Sequence, residues 1–387
     1  MKQTVLIVGA GIIGCSLADE LTRRGAAVTV VDAAEVGSAT SAATFAWVNS
    51  NDKSPHEYSR LNLLGLQAHE RAARSAGKGG SRWFHQIGNV QIAQTDDEMA
   101  AIELQVQQHA AKGYEAQLLS AANVRALEPS LQAPRLKGGA LFPKEGWVDT
   151  LTMCSSLVNR AVEAGAVFAP YETVTNVQPN LVTTRTPDGD VRHRTADVIV
   201  LAAGNGNRGI LSTAGIDFPT LEPTRSGSSG KDSGVGIIST TGPVRSGIRH
   251  IVRAEGIAMR PARNGGITFA DHPTGGKWDL DDPRIWTVPA LLLDRVRELY
   301  PSMKDAATEN VRLGIRVLPE DGLTIADWII DDHSLYAVAT HSGVTLAAHL
   351  AETVAEEVLT GTRHESLESF GLSRFSVASE TAEAGTK

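Results

Sequence analysis

The chain has 387 residues, of which 42% are hydrophobic and 21% are charged, so it can form one large domain or two with a substantial core. Its net charge of −8 at pH 7 argues against nucleic-acid binding and against attachment to an anionic membrane surface. The two cysteines argue against a disulfide framework and predict a reducing, cytoplasmic location, and no apolar run predicts a transmembrane segment.

A strand–glycine–helix–strand unit begins the chain. The β-branched apolar run from Thr4 to Val8 predicts a buried strand, and the residues G-A-G-I-I-G follow it directly. A helical pattern and a second apolar run then lead to Asp32. In such a unit the glycines permit a tight turn, a close approach to a pyrophosphate and close helix–strand packing, and the acid can accept hydrogen bonds from a ribose. The unit predicts a site for a dinucleotide, either NAD or FAD, formed by Gly9, Gly11, Ile12, Ile13, Gly14, Asp32 and Ala33.

Small and hydroxyl-bearing residues follow this unit, from Gly37 to Ala43. Small side chains let a ligand approach the backbone and hydroxyls can bind phosphate, but the segment is equally typical of a capped loop. A helix is predicted over 57–75. From Trp83 to Trp147 the predicted strands and helices lose the βαβ order, which indicates a separate cap region.

The α/β order returns with a helix that begins at Asp149, and a buried strand then ends in the small residues Ala202, Ala203 and Gly204. Such an ending lets a ligand lie against the carboxyl end of the strand. Residues 218–310 lose the α/β order again. The segment 227–232 superficially resembles a phosphate-binding loop, but its glycine spacing is wrong and Asp232 follows the lysine where Ser or Thr is needed.

A second strand–glycine–helix unit lies near the C-terminus. The run from Leu335 to Ala339 predicts a strand, and the residues H-S-G-V-T-L from His341 onward lead into a helix. The N-terminus of this helix again offers N–H groups to an electron-rich ligand. Two such helix ends suit a long ligand with two electron-rich portions, which favours FAD, with its pyrophosphate and its isoalloxazine ring.

Along most of its length the sequence resembles the family of FAD-dependent D-amino-acid oxidases, glycine oxidases and sarcosine oxidases. The matching segments are VLIVGAGIIGCSLADELTRRGAAVTVVD, GSATSAA, GWVDTLTMCSSLVNRAVEAGA, ADVIVLAAGNG, GIRVLPEDGLTIAD and SLYAVATHSGVTLAAHLAETVAEEVLTG. The resemblance implies an α/β, Rossmann-like FAD-binding domain of the glutathione-reductase type, interleaved with an α+β, mixed-sheet substrate domain. It also implies oxidation of the C–N bond of a small amine or amino acid to an imine, by hydride transfer to flavin N5, followed by hydrolysis.

The resemblance also implies domain boundaries and binding residues. The FAD-binding domain comprises 1–82, 148–217 and 311–375, the substrate domain comprises 83–147 and 218–310, and the polar residues 376–387 are expected to form a disordered tail. Sarcosine oxidases that bind FAD covalently have a cysteine where this chain has Gly314, so the FAD is predicted to be noncovalent. The further cofactor-binding residues implied are Ser38, Thr40, Ser41, Ala42, Val174, Ala202, Ala203, Gly204, Gly314, Ser342, Gly343, Val344, Thr345 and Leu346.

Two residues are candidates for the catalytic site. Arg316 matches the arginine with which glycine-oxidase-like members bind the substrate carboxylate, and its planar fork suits that role. The alternative for Arg316 is a structural ion pair with Glu320 or Asp321. His341 precedes the glycine turn that would approach the flavin, and its alternative is a structural histidine.

Two other functions are compatible with parts of the sequence. An NAD-linked dehydrogenase explains the first unit but leaves the second without a role, and a flavin-carrying subunit without turnover of its own explains both. His85, His250 and Arg260 lie in predicted cap strands and could face the substrate pocket. The histidines and acids show no metal-ligand spacing, and the sequence predicts no particular oligomeric state.

Overall fold

The structure is a computed structural model that describes residues 2–75, 83–222, 234–270 and 282–375. The phosphate-like segment at 227–232 and the predicted tail at 376–387 lie outside these residues. The described helices are α1 (Ile12–Arg23), α2 (His56–Ser75), α3 (Asp96–Ala111), α4 (Ala121–Leu127), α5 (Thr150–Glu163), α6 (Gly206–Ser212), α7 (Val288–Leu299) and α8 (Gly343–Thr360). The described strands are β1 (Thr4–Val8), β2 (Ala27–Val31), β3 (Trp47–Val48), β4 (Phe84–His85), β5 (Asn89–Ala93), β6 (Gln117–Ser120), β7 (Gly138–Phe142), β8 (Gly146–Val148), β9 (Val167–Ala169), β10 (Thr173–Gln178), β11 (Leu181–Arg185), β12 (Val191–Thr195), β13 (Val198–Leu201), β14 (Val235–Thr241), β15 (Ile251–Ala254), β16 (Ile257–Pro261), β17 (Ile267–Ala270), β18 (Thr308–Ile315), β19 (Ile325–Trp328) and β20 (Leu335–Ala339).

A six-stranded sheet has the order β19-β20-β13-β1-β2-β9. Five of its strands are parallel, and β19 pairs antiparallel with β20 at one edge. The strands β1 and β13 are apolar on both faces because both faces of the sheet are covered. The carboxyl ends of β1, β13 and β20 meet at one edge of the sheet, which is where open α/β sheets bind ligands.

Helices cover one face of this sheet and a small antiparallel sheet covers the other. On the first face α8 packs against α1 and α2, and α1 also packs against α5. Ile7 contributes to the core on this side, together with Leu17 of α1 and Leu350 of α8. On the second face the sheet β10-β11-β12 packs Val177 and Val182 against the parallel strands.

The second large sheet is mixed and has eight strands, in the order β18-β14-β17-β16-β15-β5-β7-β6. Its only parallel pair among the described strands is β15 with β5. Helix α7 packs on one face through Val296, against Val252 and Phe269. The other face of the mixed sheet carries a separate apolar cluster that includes Phe45 and Ala270. This face is separated from the parallel sheet by a cavity.

The architecture agrees with the predicted combination of a Rossmann-like parallel sheet and a mixed-sheet domain. Strand β18 crosses the predicted domain boundary between residues 310 and 311, because it pairs along its whole length with β14 of the mixed sheet. The other predicted boundaries remain predictions. Among the described residues, no helix combines the length and the apolar character needed to cross a membrane.

Candidate functional site

One cavity of about 1020 Å³ runs between the parallel sheet and the mixed sheet. Ligand cavities in proteins usually have volumes of roughly 300–1,000 Å³, so this cavity is large enough for an elongated ligand. Its wall contains the turn after β1, the turn before α8 and the middle of β14. The predicted site residues on the wall are Gly9, Gly11, Ile12, Ile13, Asp32, Ser38, Thr40, Ser41, Ala42, Ala202, Ala203, Gly204, Gly314, Arg316, His341, Ser342, Gly343, Val344 and Thr345.

The turn between β1 and α1 depends on its glycines. Gly9 has a φ of 107°, and a Cβ added there would lie 2.5 Å from the carbonyl oxygen of Ala202. A Cβ on Gly14 would lie 1.8 Å from the oxygen of Gly9, so helix and strand could not pack as they do. The N-terminus of α1 therefore comes directly to the cavity, where its N–H groups and partial positive charge can hold an anion.

A hydroxyl of the small-residue segment accepts a hydrogen bond from an N–H group at this helix end. Ser41 is buried, and its Oγ accepts a hydrogen bond of 2.9 Å from the N–H of Ile12. The Thr40 hydroxyl instead donates to the carbonyl of Ile315 at 2.8 Å, at the end of β18. Both hydroxyls are thus used within the protein, where they hold the segment against α1 and β18.

Asp32 lies at the end of β2 with its carboxylate fixed by the backbone. Its Oδ2 accepts from the N–H of Ala10 at 2.6 Å and its Oδ1 accepts from the N–H of Ala34 at 2.8 Å. Each carboxylate oxygen has a second lone pair, so both oxygens can still accept from a ribose hydroxyl. Asp32 also lines the cavity, as its predicted role requires.

The N-terminus of α8 forms the other helix end on the cavity. Gly343, Val344 and Thr345 lie on the wall, and the side chain of Ser342, at the N-cap position, does not cap the helix. The Ser342 hydroxyl is instead 2.8 Å from the hydroxyl of Tyr58. The N–H groups of a first helical turn have no partner within the helix, so these three can be donated to a ligand.

Two further contacts fix this helix end in position. The Nε2 of the buried His69 lies 2.8 Å from the carbonyl oxygen of Val344, and burial lowers the pKa of His69 to about 4. Its ring is therefore neutral at pH 7 and donates that hydrogen bond. The Thr345 hydroxyl contacts the carbonyl of Trp47 at 3.3 Å, which joins α8 to β3.

Four basic side chains line the same cavity. Arg312 lies in β18 and Arg316 follows it, Lys53 lies on the loop after β3, and Arg253 lies in β15. The Arg253 guanidinium stacks 4.6 Å from the ring centroid of Trp47 and lies 3.9 Å from a carboxylate oxygen of Asp52. Burial lowers the pKa of Lys53, the Asp52 carboxylate raises it, and the Arg316 charge lowers it. This part of the cavity is therefore suited to an anionic ligand group.

The alternative role for Arg316 involves two acids that the structure places elsewhere. Asp321 forms its ion pair with Arg374, at 2.6 Å between Nε and Oδ2. Glu320 is exposed, and its N–H donates to the carbonyl of Pro219. Arg316 lines the cavity, and its contact with a substrate carboxylate stays a prediction.

A fully buried carboxylate lies behind the wall next to these basic groups. Glu145 accepts hydrogen bonds from the Nε1 of Trp47 at 2.7 Å and from the hydroxyl of Tyr114 at 2.7 Å. It also accepts from the side-chain amides of Asn51 at 3.1 Å and Asn89 at 2.9 Å. Burial raises the pKa of Glu145 to about 7. The network joins the segment after β3 to the mixed sheet.

Four of the predicted cofactor-binding residues do not line the cavity. Gly14 faces Gly9, where it permits close helix–strand packing, and Ala33 is exposed beside Asp32. Val174 packs against the apolar cluster between the parallel sheet and the sheet β10-β11-β12. Leu346 is fully buried, and its N–H donates to the carbonyl of Ser342, because the helical hydrogen bonds have already begun at that residue.

The three cap residues suggested as possible pocket residues also lie off the wall. His85 stacks on the ring of Trp147 at 4.0 Å, and the Nδ1 of His250 pairs with Glu128 at 2.7 Å. The buried Arg260 donates from Nε to the carbonyl of Phe45 at 2.8 Å. All three serve the packing of the mixed sheet.

The sequence did not indicate three residues in or behind the cavity wall, namely Lys53, Arg253 and Glu145. Lys53 lies in the segment N-D-K-S-P, which is typical of an ordinary turn, and Glu145 lies in a predicted turn before Gly146. The only signal was the polarity of the segment after the small-residue loop, and that signal has no fixed spacing.

A family model for FAD-dependent oxidoreductases, abbreviated DAO, matches residues 4–357. The chain belongs to the FAD-dependent oxidoreductase family. This match confirms the resemblance stated above and the predicted fold class, and it favours FAD over the NAD-linked alternative. It also confirms that the chain is of the enzyme class of flavin-dependent oxidoreductases.

Over nearly its whole length, the oxidoreductase is similar to an opine oxidase subunit and to a glycine oxidase. It is 26% identical to a subunit of the opine oxidase of Agrobacterium tumefaciens (strain Ach5), in an alignment that covers 95% of this chain and 96% of that subunit. It is 24% identical to glycine oxidase of Geobacillus kaustophilus (strain HTA426), over 100% of this chain and 99% of that enzyme. The crystal structure of glycine oxidase from Geobacillus kaustophilus shares the fold, with a TM-score of 0.80, 20% identity and coverage of 96% of this chain and 99% of that one.

The residues of the oxidoreductase fit FAD. The tight turn before α1 requires glycine, because a Cβ on Gly9 would meet the backbone of Ala202, and this turn brings the helix end to the cavity, where it could hold a pyrophosphate. Asp32 lines the cavity with its carboxylate fixed by the N–H of Ala10, so it could accept from a ribose. The second helix end, at Gly343, lies on the same cavity and offers N–H donors for an electron-rich ring edge. Both ends of one long nucleotide therefore find a matching group in this cavity.

Proposed function

We propose that this protein binds one FAD noncovalently and oxidises the C–N bond of a small amino acid or amine to an imine, which water then hydrolyses. The observation that carries the proposal is the single cavity with a helix N-terminus at each of two places and basic side chains beside the second. The bound FAD would supply a two-electron acceptor at its N5 position.

The residues of the chain would then position and stabilise the reactants. The α1 end and Asp32 would bind the ADP half, and the N–H groups of Gly343, Val344 and Thr345 would stabilise negative charge on the pyrimidine edge of the ring. Arg316 would bind the substrate carboxylate bidentately and hold the amine in reach of the acceptor. A neutral amine requires no protein base for this transfer, so no residue is assigned as a base.

Noncovalent binding is supported by the residues available for a tether. A Cβ on Gly314 would lie 2.0 Å from the carbonyl oxygen of Ala43, so this position has no room for the side chain of a covalent attachment. Cys15 and Cys154 are buried in the core, and neither lies on the cavity wall. Acid precipitation of the holoprotein should release all of the flavin into the supernatant.

The two free thiols, Cys15 and Cys154, also support the predicted cytoplasmic location.

A second candidate is a catalytic or flavin-carrying subunit of a larger oxidase. It is favoured by the end-to-end similarity to a protein that is itself named as a subunit of an opine oxidase. A subunit of this kind could be reduced by substrate and yet pass its electrons to another polypeptide instead of to oxygen.

Anaerobic reduction of the bound flavin tests both candidates. The purified holoprotein is mixed without oxygen with a panel of amino acids and secondary amines, and the absorbance of the flavin is followed. Bleaching by at least one compound, followed by recovery in air, supports an independent oxidase. Bleaching without recovery in air, but with recovery on adding an artificial dye, supports the role as a subunit. A protein that binds no FAD contradicts both.

A further inference from the structure

Lys53 lies at the same end of the cavity as the N-terminus of α8. Its Nζ is 5.8 Å from the ring centroid of Tyr58, and the Tyr58 hydroxyl is 2.8 Å from the hydroxyl of Ser342, the residue before α8. Lys53 lines the cavity wall. An ammonium group is therefore available close to the place where the substrate would meet the flavin.

Arg316 reaches the same space from a different wall. It follows β18, and its Nη2 lies 3.7 Å from where a Cβ on Gly236 of β14 would be. Both side chains line the cavity, so the two cations come from separate parts of the chain and meet on the wall of one cavity. Burial lowers the pKa of Lys53, the charge of Asp52 raises it, and the charge of Arg316 lowers it.

The nearby acids Asp52 and Glu145 act on Lys53 through their charges, but their direct contacts are with other side chains. Asp52 lies 3.9 Å from the guanidinium of Arg253 and accepts a hydrogen bond from Gln105 at 2.6 Å. The oxygens of Glu145 are occupied by the four side chains of its network. Within the described part of the chain, neither acid forms an ion pair with Lys53. Two cations in a partly buried space repel one another unless a ligand with two negative groups joins them.

We propose that Lys53 binds a second carboxylate of the substrate, so that the amine oxidised is a secondary amine with one carboxylate on each of its two nitrogen substituents. The proposal rests on the proposed function, since it takes the first carboxylate to be held by Arg316. A guanidinium fixes the first carboxylate by its planar fork, whereas an ammonium is a point charge that accepts the second in more than one orientation. Specificity would follow because a monocarboxylate leaves the Lys53 charge without its partner.

Matched pairs of substrates test this assignment. N-methylglycine is compared with iminodiacetate, and N-methylalanine with N-(carboxymethyl)alanine, by anaerobic titration of the bound flavin. The dissociation constant of the dicarboxylate should be lower by about tenfold or more within each pair, since a charge-assisted contact is added. In Lys53→Met this advantage should fall to within about twofold, while the monocarboxylate constants stay close to the wild-type values.

Two variants separate a direct contact from a structural effect. Lys53→Arg keeps the charge and should keep most of the dicarboxylate advantage. Lys137→Met removes an exposed lysine that pairs with Asp96 at 2.9 Å on the surface, and it should leave every constant unchanged. The measurement without oxygen also excludes any effect of Lys53 on reoxidation of the flavin.

The outcomes distinguish this proposal from the one on which it rests. Equal constants within each pair in the wild type, or a dicarboxylate advantage that survives in Lys53→Met, would overturn the second subsite while leaving amine oxidation intact. An equal loss for both members of each pair in Lys53→Met would also overturn it. If no compound bleaches the flavin at all, the proposed function fails and this inference fails with it.

Discussion

The indole N–H of Trp47 donates a hydrogen bond of 2.7 Å to a carboxylate oxygen of Glu145, and this contact joins the segment behind the substrate end of the cavity to the mixed sheet. Because Glu145 is fully buried, its carboxylate is costly to ionise despite four donors. The same segment carries Lys53, so the protonation state of Glu145 bears on the stability of this part of the cavity wall.

The raised pKa of Glu145 predicts a pH-dependent stability. An unfolded glutamate ionises near 4.5 and the folded one near 7, so the folded state holds the extra proton between these values and stability falls as the pH rises through them. The full effect is about 3 kcal/mol. Glu145→Gln cannot ionise, so its free energy of unfolding should lack this decline. Denaturant unfolding at pH 5, 6, 7 and 8 checks the difference, and parallel profiles for variant and wild type would refute the assignment.

His69 predicts the opposite dependence at lower pH. Its pKa is lowered to about 4, so the unfolded state binds the proton first, and the stability that the neutral ring provides is lost as the pH falls from 6.5 to 4. His69→Gln keeps an N–H donor for the carbonyl of Val344 but does not titrate. Its unfolding free energy should decline less on acidification, by about 3 kcal/mol over that range. An acid profile identical to that of the wild type would remove His69 from this role.

A single methyl group at Gly9 should impair FAD binding. In Gly9→Ala the new Cβ meets the carbonyl oxygen of Ala202 at 2.5 Å, at a φ of 107°, so the turn must move. We expect the FAD affinity to fall by at least about tenfold and the chain to lose on the order of 1–3 kcal/mol of stability. Isothermal titration of the apoprotein measures the affinity.

Gly209 provides the matched control for that substitution. It lies in α6, where an added Cβ would meet no atom of the described residues within 4 Å apart from its own helix backbone and chain neighbours, so Gly209→Ala should bind FAD normally. The alanine should also stabilise the helix by up to about 1 kcal/mol. Equal FAD affinities for the two alanine variants would contradict the close approach at Gly9.

Arg316→Ala should separate substrate binding from cofactor binding. The variant should retain its flavin spectrum, while a carboxylate substrate loses roughly 2–5 kcal/mol of binding free energy. Arg316→Lys should recover part of this loss, since the charge returns without the bidentate fork. Anaerobic titration gives the dissociation constants, and an unchanged constant in Arg316→Ala would exclude a contact with the substrate carboxylate.

The two helix ends that line the cavity were predictable because each is a local pattern. The strand, the glycine turn and the helix around Gly9 are continuous in sequence, and so are those around Gly343. Leu346 was also predicted to bind the cofactor, but its N–H already donates to the carbonyl of Ser342, because only the first N–H groups of a helix lack a partner within the helix. Strand β14 was not predicted, since glycine and serine interrupt its β-branched residues.

The basic part of the cavity was not predictable, because it forms only through tertiary contacts. Lys53, Arg253 and Arg316 come from three separate segments, and no spacing in the sequence relates them. Glu145 reaches Trp47 because β3 pairs with β8, a contact between short strands far apart in the chain. Such pairings carry no local signal, so the basic compartment appears only once the sheets are assembled.

The N-termini of α1 and α8 are proposed to hold the two ends of one FAD molecule, and a crystal structure of the holoprotein tests this most directly. We expect the pyrophosphate beside Gly11 and the pyrimidine edge of the flavin within hydrogen-bond distance of the N–H groups of Gly343 to Thr345. A flavin whose ring lies away from the α8 turn, or an α8 turn in contact with solvent alone, would contradict the proposal.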